Sequence, residues 1–126
     1  MGELEAVVRQ AIAAFEKLDG DAIGEMSSVD VQAVDELSRK WMRGAGALKD
    51  YFNGLQGQVT DIHSTLSDFN EKTYGDVGLV TCWLEQDYIL GGQKQHVSAP
   101  TSCVLRKEGG AWRALLFHTV PLPEEN

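Results

Sequence analysis

Several shortages in this sequence narrow what it can be. Only two of its 126 residues are cysteine, Cys82 and Cys103. A scaffold stapled by several disulfides is excluded, and the pair reads as two buried, reduced thiols of a cytoplasmic protein. Positive charge is short as well, with 11 Lys and Arg against 19 Asp and Glu. That balance speaks against nucleic acid, which needs a basic footprint, and against anionic membranes. Long hydrophobic runs are missing, so no membrane span is expected. The opening MGELEAVVRQ is acidic where a secretory leader would be basic, and Ala6 stands where a myristoylation motif wants Ser or Thr.

Chemical motifs are equally scarce. His63, His96, His118 and the cysteines have no short ligand spacing, so no metal is expected. The glycines at 44 and 46 lack the context of a phosphate loop. There is no Gly-x-Ser-x-Gly elbow, and no cofactor is expected. Repeats, low-complexity tracts and linkers are absent, and the whole chain, 1–126, reads as one domain.

What is present is concentrated in residues 77–120. Three runs rich in Val, Ile, Leu, Trp, Phe and Thr are separated by Gly91-Gly92 and Gly109-Gly110. Such residues suit a pleated surface, and glycine doublets between them supply the positive φ of tight hairpin turns. A meander of three antiparallel strands follows. If Leu90 faces Gln93 and Lys107 faces Trp112, one sheet face carries Val80, Cys82, Leu84, Tyr88, Val97, Ala99, Thr101, Cys103, Leu105, Trp112, Ala114, Leu116 and His118. This is the expected core face, with Cys82, Thr101 and His118 in one row. The cysteines are diagonal neighbours there, too far apart for an unstrained disulfide. Pro100 is a warning, because proline inside a strand often marks a bulge, and a bulge swaps faces. The opposite face mixes Glu85, Asp87, Ser98 and Ser102 with Trp83, Val104, Leu115 and Phe117. An apolar patch of that kind calls for cover, and a homodimer through the outer sheet face is expected.

Ahead of the meander, Leu4, Val7, Val8, Ala11, Ile12, Phe15 and Leu18 recur at helical spacing. Gly20 reads as the helix stop and Asp21 as the cap of a short helix at 22–26. Residues 28–37 alternate as a strand. Leu48, Phe52 and Leu55 mark a third helix, residues 59–69 a further strand, and residues 70–76 a turn. Helices gathered before strands imply α+β, with helices on one face of an antiparallel sheet.

In this order the chain resembles the nuclear-transport-factor-2-like superfamily, which includes ketosteroid isomerases and SnoaL-like cyclases. The resemblance rests on the first helix ending LDGDA, on WMRGAGALKDYF, on YGDVGLVT and on TSCVLRKEGGAWRALLFH, with Thr101, Val104, Arg106, Gly110, Trp112 and His118 as its most specific residues. It implies a cystatin-like cone, a curved sheet around a long N-terminal helix with a pocket at the open end. It also implies a dimer through the outer sheet face. It does not imply one activity. An isomerase of this family needs a carboxylate base with a Tyr and a protonated Asp as donors, the arrangement known for ketosteroid isomerase itself. Here the expected core face of the meander carries no carboxylate, so a base would come from Asp30, Asp35 or His118.

Three readings stay open. One is a binding protein for a small apolar or aromatic ligand, its pocket walled by Phe15, Trp41, Tyr51, Cys82, Thr101 and Leu116. Another is an isomerase, cyclase or dehydratase in which His118 or Asp35 moves a proton alpha to a carbonyl and Tyr88 or Tyr51 steadies the enolate. The third is a non-catalytic oligomerisation module whose cone is filled by side chains. Each candidate has a plain alternative. His118 could be a half-buried partner of Thr101, Asp35 a solvated strand end, Tyr88 a rim cover, and Trp41 a packing group before a helix.

Overall fold

Helix α1 (Glu3–Glu16) forms because its apolar positions make one stripe; Leu4, Val8 and Ile12 are all buried. It ends earlier than glycine placement suggests. Leu18 takes the left-handed conformation, φ 51°, while the amides of Leu18 and Asp19 close back on the carbonyls of Phe15 and Ala14. Such a closure usually uses glycine. Leu18 bears the strain because its side chain is buried. Gly20 serves instead as a contact point: a Cβ there would lie 2.4 Å from the Lys49 carbonyl oxygen. Helix α2 (Gly20–Glu25) is capped by Asp19, whose Oδ1 accepts the Ala22 amide at 3.1 Å, and not by Asp21. The computed structural model describes residues 2–123.

The strands are β1 (Ser27–Asp35), β2 (Met42–Arg43), β3 (Val59–Tyr74), β4 (Val77–Leu90), β5 (Gln93–Glu108) and β6 (Ala111–Thr119), with helix α3 (Ala45–Leu55) between β2 and β3. They build one curved six-stranded sheet in the order β2-β1-β6-β5-β4-β3. The fold is α+β, a sheet wrapped around the long N-terminal helix. The sheet departs from the sequence reading in its pairing and in the length of one strand. The sheet is not wholly antiparallel, since β1 runs parallel to β6. Strand β3 continues through residues 70–74, so the turn shrinks to Gly75 and Asp76. As an edge strand β3 is interrupted near Asp61 and Asp68, both with positive φ, where its register to β4 shifts. Bulges of this kind blunt an edge against pairing with other chains.

Both glycine doublets turn with positive φ at each residue, as type I′ hairpins require. They set Leu90 opposite Gln93 and Lys107 opposite Trp112. The β4–β5 ladder then runs unbroken through Trp83 and Pro100, so there is no bulge at the proline. Pro100 lies just past the last β5–β6 pair, Thr101 with Thr119, where a missing amide costs no ladder bond.

The bulge is in β6. Leu105 faces Ala114, but Val104 faces Leu116, leaving Leu115 without a partner. One inserted residue flips every later side chain, because the strand period is two. Phe117 and Thr119 turn inward and are buried, whereas Leu116 faces Val104 and His118 faces Ser102 on the outer side. The expected inward placement of Leu116 and His118 is therefore wrong. Among the described residues no helix is long and apolar enough to cross a membrane.

Candidate functional site

The open end of the cone holds a cavity of about 60 Å³. Its wall is apolar and drawn from every layer: Ile12 and Phe15 of α1, Phe52 and Leu55 of α3, Leu84 of β4, Phe117 of β6. Aromatic packing shapes its floor. Phe15 stacks on Phe52 at 4.8 Å between centroids and meets Phe117 edge-on at 4.9 Å.

Polar groups gather on one side, where the end of β1 meets the end of β6. Parallel pairing sets Asp35 beside Thr119. The Asp35 Oδ1 accepts the amides of Leu37 and Ser38 at 3.0 and 2.8 Å, which folds the chain sharply after the strand. The same oxygen accepts the Tyr51 hydroxyl of α3 at 2.8 Å. The next residue, Glu36, lines the cavity and interacts with the Tyr88 hydroxyl. Asp35 thus binds one tyrosine directly, and Glu36 lies close enough to a second for that phenol to favour its charged form.

Their environment is electrostatically unbalanced. Asp35 and Glu36 line the cavity, and among the described residues no Lys, Arg or His does. Burial pushes the Glu36 carboxyl above the usual carboxylate range; the Tyr88 hydroxyl works against that rise and the Asp35 charge adds to it. Tyr51 is pushed well up by burial and then by the Asp35 charge, and Tyr88 by burial and then by Glu36. Both phenols are firmly in the donor form. Chemically the end of the cavity offers two hydroxyl donors, an Asp35 side chain held by three donors, and a Glu36 carboxyl group that holds its proton to higher pH than usual.

The residues expected from sequence divide accordingly. Asp35, Tyr88 and Phe15 line the cavity, and Tyr51 supports it through Asp35. His118 lies outside, its ring 6.2 Å from that of Trp41, which is 43% exposed. The expected contact of His118 with Thr101 is replaced by one between the Thr101 and Thr119 hydroxyls, 3.0 Å apart. Thr101 and Cys82 are buried in the sheet's inner face and do not border the cavity. Burial raises the Cys82 thiol to about 11 and the Cys103 thiol to about 12. Leu116 and Trp41 are not wall residues. Sequence reasoning missed Glu36, Gln86, Phe117 and Thr119. Only Glu36 had a local signal, as the second of two acidic residues ending an apolar alternation.

The outer face carries a different cluster. His96 bridges Asp87 (2.8 Å) and Glu85 (3.0 Å) through its two ring nitrogens. Glu85 also accepts from Trp83 Nε1 at 3.0 Å and from the Ser98 hydroxyl.

The geometry can be set beside that of known proteins. Similar solved structures include a ketosteroid isomerase-like protein from Erwinia carotovora atroseptica (18% identity, 95% of this chain and 94% of that one, TM-score 0.80). An NTF2-like protein with a cystatin-like fold from Novosphingobium aromaticivorans is similar at 14% identity, over 98% and 82% of the two chains, with TM-score 0.79. The CaMKII hub of S. rosetta matches at 18% identity over 97% and 98%, with TM-score 0.82. At such identities the likeness is one of fold. No curated protein sequence matches the chain. A SnoaL-like domain model matches residues 4–119, nearly the whole length, and the chain therefore belongs to the SnoaL-like domain family.

Proposed function

We propose that this protein binds a compact, largely apolar small molecule that is neutral or cationic, at the open end of the cone. The observation that carries this reading is the one-sided polarity of the cavity: two carboxyl–tyrosine pairs against an aromatic and aliphatic wall, with no basic side chain. Pockets of this makeup orient a ligand by a few polar groups and hold it by apolar contact. A drug-sized ligand needs about 300–1,000 Å³. A space of about 60 Å³ suits something smaller. An anionic ligand would be placed beside Asp35 and Glu36 with no counter-charge, which is costly away from water. Calorimetric titration with benzyl alcohol, benzylamine and benzoate tests this. The alcohol and the amine should bind at least about tenfold more tightly than benzoate, a difference of about 1.4 kcal/mol. Benzoate binding as tightly as benzyl alcohol would refute the reading.

A second reading, proton transfer alpha to a carbonyl, is favoured by Glu36. The Tyr88 donor, with a Glu36 carboxyl raised by burial beside it, suits a carbonyl oxygen, and the Asp35 carboxyl nearby suits a base. Exchange of the α-protons of cyclohexanone in heavy water, followed by NMR, should then be faster with the protein than with its Asp35→Asn variant. Equal rates would remove the enzyme reading and leave the binding one intact.

Self-association through the outer sheet face is part of the same proposal. Leu79 is 38% exposed there, beside half-buried Trp83, Val104 and Leu116. Light scattering at micromolar concentration should give twice the chain mass. A monomer would rule the interface out.

A further inference from the structure

A void of about 20 Å³ lies behind the mouth cavity, against Val7, Val8 and Ala11 of α1, and another of about 10 Å³ lies beside the mouth, against Asp35. All three spaces share Phe15 and Phe117 as lining residues. Phe52 borders the mouth cavity and the smallest void. The rings therefore stand between the mouth and the rear. The larger void, at the rear, is walled by Val8, Ile23, Val31, Leu48 and Leu105 among others. Its one hydroxyl, that of Ser27, is already donated to the Ile23 carbonyl at 2.7 Å. Apart from the Cys103 thiol, which burial keeps protonated, this larger void offers a ligand only apolar contact.

We infer that Phe117, braced edge-on against Phe15, is the partition that sets how deep a ligand reaches, so that this residue selects ligands by length. This rests on the binding function proposed above and adds which ligands are refused. A ligand with its polar end at Asp35 and Glu36 points its apolar end at the ring pair. Each methylene it buries strengthens binding until the chain meets the rings. Past that length, entry requires displacing a packed aromatic side chain, and interiors resist such overpacking. Phe117 is the better determinant of the two. It is inward only because of the β6 bulge, and it borders all three spaces while 6% exposed. Phe15, in the last turn of α1, leaves part of its ring uncovered.

The test is a homologous series, phenol and its 4-ethyl, 4-butyl and 4-hexyl derivatives, titrated into the native protein and into Phe117→Leu and Phe117→Ala. Binding to the native protein should tighten about fourfold per methylene, the equivalent of about 0.8 kcal/mol, and then stop. In both variants the stop should move to longer chains, further for alanine than for leucine. Leucine keeps an apolar side chain of moderate size, so it reports even if alanine does not fold. A stop at the same length in native and leucine proteins overturns the partition, as does a native series that tightens to its last member. In either case the binding function stands. If no phenol binds native or variant protein, the binding function fails and the partition with it.

Discussion

Two glutamates on opposite faces of one sheet behave in opposite ways. Glu36 sits at the inner cavity, half-buried, with one tyrosine for a partner, and its carboxyl is pushed up by burial. Glu85 sits on the outer face with donors from Ser98, Trp83 and His96, and its carboxyl is held below the usual range, chiefly by the Ser98 hydroxyl. Both are glutamates, and nothing in their type separates them. The difference is set by water and by the count of donors. A carboxyl that loses solvent without gaining enough donors holds its proton to higher pH; one that keeps solvent and gains three donors releases it at lower pH. The inner face therefore keeps a carboxyl group with few donors beside the cavity, where a ligand can supply one. The outer face has spent its polarity on itself.

The largest effect expected from this contrast compares neighbours in β6. Phe117→Ala should destabilise the fold by about 3–5 kcal/mol, the usual cost of emptying a buried aromatic site. His118→Ala, one residue on and on the outer side, should change stability by no more than about 0.5 kcal/mol. Urea denaturation measures both. Similar losses at the two positions would mean that the bulge does not separate the faces as described.

A smaller effect sharpens the contrast at Glu36 itself. A carboxyl whose folded value is raised binds more protons folded than unfolded, so stability falls as pH rises through the window between the ordinary value of 4.5 and the raised one. Glu36→Gln removes that penalty. The variant should melt higher than the native protein at neutral pH, and the gap should close as pH falls to about 4.5. A gap that stays constant across this range would show that burial does not raise the Glu36 carboxyl.

The smallest effect lies outside. His96 is raised above the usual histidine value, first by its bond to Asp87. Its contribution is fully present below the unfolded value of 6.5 and fades as pH rises through the folded one. Glu85, being lowered, contributes above 4.5 and loses that contribution as pH falls. Being exposed, the group adds little to stability. An NMR titration of His96 should nevertheless give a midpoint above that of a free histidine, and Asp87→Asn should bring it down. A midpoint unmoved by that substitution would break the outer half of the comparison.

Much of this was legible in the chain and some was not. The helix stripe of Leu4, Val8 and Ile12, the glycine-doublet hairpins and the partnering of β4 with β5 follow from patterns local in sequence. So did Asp35, because a polar residue breaking an apolar alternation is visible without coordinates. Phe117 and His118 were assigned to each other's faces. The hairpin at Gly109-Gly110 was read correctly, but its register was carried past Leu115, where an unpaired residue intervenes. Pro100 drew attention to the wrong strand. Glu36 was overlooked since its significance depends on Tyr88, far along the chain.

The three helices, five of the six strands, the I′ turns and the meander can be read along the chain; the short β2 and the full length of β3 cannot. The legible features depend on backbone preferences and on periodicity over a few residues, which need no distant partner. Only the tertiary structure decided which face of β6 looks inward and which carboxyl meets which tyrosine. Strand β6 is paired on both sides, with β5 antiparallel and β1 parallel, and has to satisfy two ladders while placing Phe117 against Phe15. Where the extra residue falls is settled by that joint fit, which no stretch of β6 encodes alone.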